Sequence, residues 1–266
     1  MKLLWLTDLH LDRADNNTRH QLLNTLASAQ FDSVLITGDI SNSTNVCTDL
    51  LDLASACGGK MLYFVLGNHD FFGSSFIEVD AAVSKVCEQQ KNLKHLGQGE
   101  TIPLASDTAL VGHRGWADGR AGYGSQSLLR NPDADMIADL GCKTKAAMFD
   151  KMEELGKASA YYFRKVLPYA LTSFRNVWVA THVPPFPQST FYDGKQCGPL
   201  HSPYYTNVAA GKAINGIAQR FPKRHVTVLS GHTHSSANTR IAARVTCRVG
   251  DARSFSKQGQ RVLEAA

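Results

Sequence analysis

Tyr63-Phe64-Val65-Leu66-Gly67-Asn68-His69-Asp70 carries the two signals that decide the fold. Four consecutive apolar residues form a strand with no polar face, as in a sheet covered on both sides. The run stops at a glycine, and an amide, an imidazole and a carboxylate follow at once. Ser75 to Gln89 then reads as a helix, so strand, polar loop and helix succeed one another as in a βαβ unit. The arrangement recurs along the chain. Leu3-Leu4-Trp5-Leu6 leads to Asp8-Leu9-His10, and Val34-Leu35-Ile36 leads to Gly38-Asp39. Val177-Trp178-Val179-Ala180 precedes Thr181-His182-Val183-Pro184-Pro185, and Val226-Thr227-Val228-Leu229 precedes Gly231-His232-Thr233-His234. Ligands of open α/β sheets bind at the carboxyl ends of the strands. Clusters of metal-binding side chains at five strand ends therefore point to one shared site.

Working outward, Thr18 to Ala29 and Val46 to Ala56 place leucines at helical spacing between the first three strands, which argues for a mainly parallel sheet. Two shorter strands are expected around His95 and Leu110-Val111. Lys143 to Phe174 is the clearest helical stretch, with Pro168 expected to kink or end it. From Arg240 to Val249, apolar and largely basic positions alternate. This reads as one strand with an apolar and a basic face, in a second sheet packed against the first. With no repeat and no linker, residues 1–266 are read as a single domain.

At 266 residues, with 43% hydrophobic and 19% charged side chains, the chain has the composition of a globular enzyme. No apolar run reaches the length of a membrane span. The apolar start runs straight into Asp8 and His10, which argues against a cleaved signal peptide. Six scattered cysteines without a Cys-x-x-Cys pair are read as free thiols of a reducing cytoplasm. Residues 1–133 hold 10 Lys and Arg against 15 Asp and Glu, whereas residues 134–266 hold 18 against 8. The basic half suits an anionic substrate or simply solvated surface.

The five clusters, in their order, resemble the motif set of the calcineurin-like metallophosphoesterase superfamily: Asp-x-His, Gly-Asp, Gly-Asn-His-Asp, a lone histidine and Gly-His-x-His, from residue 8 to residue 234. The resemblance implies an α/β fold of two packed sheets flanked by helices and a site for two metal ions. Carried over by position, Asp8, His10 and His234 would bind one metal and Asn68, His182 and His232 the other, with Asp39 bridging. Oxygen and imidazole donors suit Mn, Fe, Zn or Ni. His69 would protonate the leaving group or stabilise charge in the transition state, and Asp70 would orient His69 and keep it charged. The implied reaction is in-line attack on phosphorus by hydroxide held between the metals. His20, His95, His113 and His225 are read as structural, as is Asp251, and Asp12 and Asp15 as surface or capping residues.

Two long loops are candidate substrate walls. His113 to Ser125 offers Arg114 and Arg120 for phosphate oxygens and Trp116 for stacking. Pro184 to Tyr205 offers Tyr192, His201, Tyr204 and Tyr205. The expected substrate is a small phosphodiester or nucleotide-type molecule. The alternatives are a monoester, nucleic acid along Arg240, Arg244 and Arg248, and a silent scaffold. The intact ligand set argues against the scaffold, and the lack of a DNA-capping region argues against the nuclease.

Overall fold

A computed structural model describes residues 1–28, 30–252 and 261–265. The first sheet contains β1 (Lys2–Leu6), β2 (Ser33–Thr37), β3 (Met61–Val65) and β4 (Leu93–His95), all parallel. A late strand, β13 (Arg261–Glu264), runs antiparallel beside β1. The second sheet is built round β6 (Thr108–Gly112), β7 (Asn176–Ala180), β10 (His225–Ser230) and β12 (Val245–Val249), again parallel. It is edged by β5 (Ile102–Pro103) and β11 (Ala237–Ala242), which run antiparallel to their neighbours. A small hairpin of β8 (Phe191–Tyr192) and β9 (Lys195–Gln196) stands apart from both sheets.

Strand alternation explains the layers. Leu4, Leu6, Val34, Ile36, Leu62 and Phe64 point outward to α1 (Asn16–Ser28), α2 (Val46–Ala56) and α3 (Phe76–Gln89). Leu3, Trp5, Leu35, Tyr63 and Val65 point the other way and meet Leu110, Ala180 and Leu229 of the second sheet. Val177, Val179, Val226 and Val228 then cover their own outer face with α5 (Lys145–Ser173) and α7 (Val208–Gln219). Each central strand is thus buried on both sides, which is why it reads as an unbroken apolar run. The helix caps follow ordinary chemistry. Ser75, Thr144 and Asn207 each accept the backbone N–H three residues on.

Two expectations need correction. Pro168 lies inside α5, which continues through it to Ser173. The proline lacks one backbone donor, but α5 is packed against α7 and the second sheet, and that packing holds the helix across the gap. Residues 240–249 are also not one strand. They fold back as β11 and β12, with a register shift between Arg240 and Ala242. A two-residue reversal preserves the alternation on both sides of the turn, so period alone cannot reveal it.

Two short helices, α4 (Asp133–Met136) and α6 (Ser202–Tyr205), lie in the long connections at the carboxyl ends of the sheets. No helix among the described residues is long and apolar enough to cross a membrane.

Candidate metal centre

The loops after β1, β2, β3, β7 and β10 converge at one end of the sandwich. Asp8 N–H donates to the Gly38 carbonyl at 3.0 Å and His10 N–H to the Asp39 carbonyl at 3.0 Å, which zips the first two loops together. The two sheets are joined by Asp8, whose carboxylate accepts the His232 N–H at 2.9 and 3.1 Å. Asp8, His10, Asp39, His232 and His234 all have φ between +43° and +71°. Left-handed backbone is uncommon outside glycine and costs about 1–3 kcal/mol per residue. It persists at Asp8, His10, Asp39 and His232 because these cross-loop bonds hold them. Glycines permit the approach. A Cβ on Gly38 would collide with the His182 ring, and one on Gly231 would strike Thr7 and Asp8.

The donor atoms form two overlapping groups. Asp8, His10, Asp39 and His234 come together as one, and Asp39, His182 and His232 as the other, with Asp39 in both. His234 Nε2 lies 3.4 Å from Asp8 Oδ1 and His10 Nε2 lies 3.0 Å from His234 Nε2. His182 Nε2 is 3.2 Å from Asp39 Oδ1, and Asn68 Oδ1 stands 3.1 Å from His182 Nε2 and 3.0 Å from His232 Nδ1. The outward nitrogens are tied back. His182 Nδ1 donates to the Thr37 carbonyl at 2.8 Å and His232 Nε2 to the Tyr204 carbonyl at 3.0 Å, so each ring turns its other nitrogen inward.

This donor set fits two cations. Burial would raise the Asp39 carboxyl, but His182, His69 and His10 hold it well below the ordinary carboxylate range. Burial likewise opposes the charge on His182, yet Asp39 and Asp8 lift its imidazole to about 9. Two buried carboxylates are therefore balanced by protons that metal ions would displace.

His69 lies just outside the ligand groups. Its Nε2 is 4.0 Å from Asp39 Oδ2, and its ring packs on Phe72 with centroids 4.2 Å apart. Burial pushes its pKa down to about 4. Arg13 Nη2 stands 3.4 Å from His69 Nδ1; because a guanidinium only donates, the ring proton is left on Nε2. Asp70 does not orient His69. Its oxygens accept the Ser41 and Gly67 N–H groups, each at 2.8 Å, and so brace two metal-site loops from beneath. Neighbouring side chains on a tight turn diverge, which separates Asp70 from the ring beside it in sequence.

The cleft above these residues has a volume of about 610 Å³. Tyr192, His201, Tyr204 and Tyr205 line it, as the second loop was expected to do. Tyr192 and His201 stack at 5.1 Å and 17°, and Tyr205 lies 5.1 Å from the His232 ring. Tyr204 is largely buried, its hydroxyl donating to the Leu129 carbonyl at 2.8 Å. The first loop is not part of this cleft. Arg114 bonds both oxygens of Asp80 at 3.0 and 2.9 Å and lies over the Phe71 and Phe76 rings. Trp116 is 3% exposed and packs edge-on against the same two rings. Arg120 pairs with Asp118 and Glu153. Arginine and tryptophan in a glycine-rich loop look the same in sequence whether they face a substrate or buttress a core.

Sequence reasoning missed Arg13, Phe72, Leu129, Arg130, Asn131 and Asp133, which complete the cleft wall. Asp133 is buried, and its carboxyl is pushed up to about 6, chiefly by desolvation. The turn-forming Asn131-Pro132-Asp133 was the only local signal, and it says nothing about chemistry.

The fold is shared with solved structures of low sequence identity. A dimetal phosphatase from Danio rerio matches at 11% identity and a TM-score of 0.57, over 94% of this chain and 87% of that one. The protein TT1561 of Thermus thermophilus matches at 9% identity and a TM-score of 0.51, over 99% and 98%. No curated protein matches the chain in sequence. The model of the calcineurin-like phosphoesterase family matches residues 1–236, a span that contains all five clusters and both donor groups. The chain accordingly belongs to the calcineurin-like phosphoesterases and is a metal-dependent phosphoester hydrolase with a two-metal site.

Proposed function

We propose that the protein hydrolyses a small phosphodiester or nucleotide-type substrate. The observation that carries this reading is the joining, in one cleft, of the donor groups, His69 and the Tyr192–His201 stack. A bare phosphate needs only the cations, whereas an aromatic wall beside them offers a surface for a ring. Asp8, His10 and His234 would hold one metal and Asn68, His182 and His232 the other, with Asp39 belonging to both donor groups. Oxygen and imidazole donors favour Mn, Fe, Zn or Ni. When bound, such a pair of ions activates water as the nucleophile and offsets charge on the phosphoryl oxygens.

The chain's own residues supply the rest. His69 directs its Nε2–H toward the Asp39 side of the cleft and donates a hydrogen bond to the departing oxygen, offsetting the charge that develops there. Arg13 keeps Nδ1 as an acceptor and thereby fixes that tautomer. Phe72 fixes the ring plane. The braces made by Asp70 and by the Thr37 and Tyr204 carbonyls keep the ligands in place before substrate arrives. Residues 1–266 act as one domain. Its six free thiols, with Cys57 and Cys247 raised by burial to about 11 and about 12, suit a reducing cytoplasm.

Hydrolysis of bis-p-nitrophenyl phosphate, p-nitrophenyl phosphate, cyclic nucleotides and single-stranded DNA by the metal-loaded protein tests the substrate class. The expected order places small diesters first. Activity confined to the monoester would replace the reading with a phosphomonoesterase, and preference for the polynucleotide would replace it with a nuclease. Metal binding with no turnover of any of the four would indicate a scaffold.

A further inference from the structure

Asn68 can serve a metal only through Oδ1, because its Nδ2 is a donor without a usable lone pair. The two ends of a carboxamide have nearly the same shape, so a neighbour has to specify which end faces the site. Asn68 Nδ2 donates to Asp133 Oδ1 at 2.9 Å, while Oδ1 faces His182 Nε2 and His232 Nδ1 at 3.1 and 3.0 Å. An ionised carboxylate can only accept, so it selects the amide rotamer that sends the oxygen inward.

Asp133 is itself held firmly. Its backbone N–H donates to Asn131 Oδ1 at 3.1 Å at the start of α4. The segment that follows is fastened to the chain just beyond His69. Gly73 N–H donates to the Met136 carbonyl at 2.8 Å, Ala138 N–H to the Ser74 carbonyl at 3.0 Å, and Phe76 N–H to Asp139 Oδ2 at 2.7 Å. Ile137 and Leu140 are buried in the core under the first sheet's helices. The carboxylate thus reaches Asn68 from a rigid support 65 residues away in sequence.

We propose that Asp133 is a positioning residue, which locks the Asn68 amide with its oxygen toward the metal held by His182 and His232. This rests on the reading of Asn68 as a ligand of that metal. The family's motif clusters do not include Asp133, which lies in the long connection between β6 and α5.

The test measures how firmly each of two Mn2+ ions is retained by the loaded full chain against rising chelator, read by elemental analysis. Asp133→Leu is expected to weaken one ion by about 10- to 100-fold, the usual cost of losing a partner behind a ligand, and the other by less than about twofold. Asp133→Asn, whose amide oxygen can still accept from Asn68 Nδ2, should stay within about fivefold of the parent. In an Asn68→Asp background the Asp133→Leu loss should vanish, because a carboxylate has two equivalent oxygens and no end to choose. If Asp133→Leu does not fold, Asp133→Ser, too short to reach Nδ2, carries the same expectation. Equal weakening of both ions, an Asp133→Asn loss as severe as Asp133→Leu, or a loss that persists beside Asn68→Asp would overturn the proposal. Asn68→Ala separates the two readings. If it releases neither ion, Asn68 is not a ligand at all. If it releases one while Asp133→Leu releases none, only the positioning role fails.

Discussion

His69→Ala separates metal binding from stabilisation of the leaving oxygen. The substitution removes the ring but keeps the backbone N–H that donates to Asp39 Oδ1 at 2.9 Å, so Asp39 retains its support. The donor groups themselves contain Asp8, His10, Asp39, His182, His232 and His234, and His69 is not among them. The variant should therefore bind as much metal as the parent. The ring, with its side chain 20% exposed, leaves contacts with Phe72 and His10 unfilled, so a stability loss of about 1 kcal/mol is expected. The rate should fall far more. A positioned hydrogen-bond donor contributes roughly 10²–10³-fold, or about 3–4 kcal/mol of barrier, when charge develops on a leaving alkoxide. With p-nitrophenolate, stable as an anion, most of that loss should disappear. The assay is kcat and kcat/KM across diesters of graded leaving-group pKa, with metal content measured on the same samples. An equal loss across the series, or a loss that tracks missing metal, would refute the assignment of His69 as the donor to the leaving oxygen.

Asp39→Ala is expected to empty both metal positions and abolish turnover, since Asp39 belongs to both donor groups; elemental analysis showing two ions retained would contradict the shared-ligand geometry. Acidification should destabilise the fold through His95 and His113, which burial lowers to about 4 and about 3 against an ordinary value of 6.5. The unfolded chain takes up these protons near 6.5 and the folded one does not, so their contribution is complete above about pH 6.5 and declines as pH falls. The pair should forfeit about 3–5 kcal/mol by about pH 4.5. Denaturant midpoints against pH check this, and a His95→Gln/His113→Gln variant with an equally steep acid limb would disprove it. Changing Arg240, Arg244 and Arg248 to Ser should leave kcat/KM for a small diester within about twofold. None of the three is among the residues that line the cleft above the donor groups, and Arg244 stands 3.1 Å from His225. Salt-steep polynucleotide binding that collapses in the triple variant would show the opposite.

The order of five strand-end clusters was enough, in the sequence alone, to single out the residues that the fold gathers into two donor groups and the layers that carry them. Sheets covered by helices on one face and by each other on the second demand strands such as Val34-Leu35-Ile36 without polar positions, and such runs are visible in any sequence. Metal chemistry likewise demands carboxylates and imidazoles at the ends of those strands, so Asp8, His10, Asp39, His182, His232 and His234 stood out. What lies around them was settled only by tertiary contacts. Arg114, Trp116 and Arg120 belong to the buttress rather than the cleft because Asp80, Phe71, Phe76, Asp118 and Glu153 reach them first. Asp70 braces two loops because Ser41 and Gly67 turn their N–H groups to it and His69 turns away. Asp133 reaches Asn68 across 65 residues. Local periodicity records which face of a strand or helix is apolar; it holds no information about which distant partner claims a polar side chain, and in this protein those partners determine whether a residue lines the cleft or supports the residues that do.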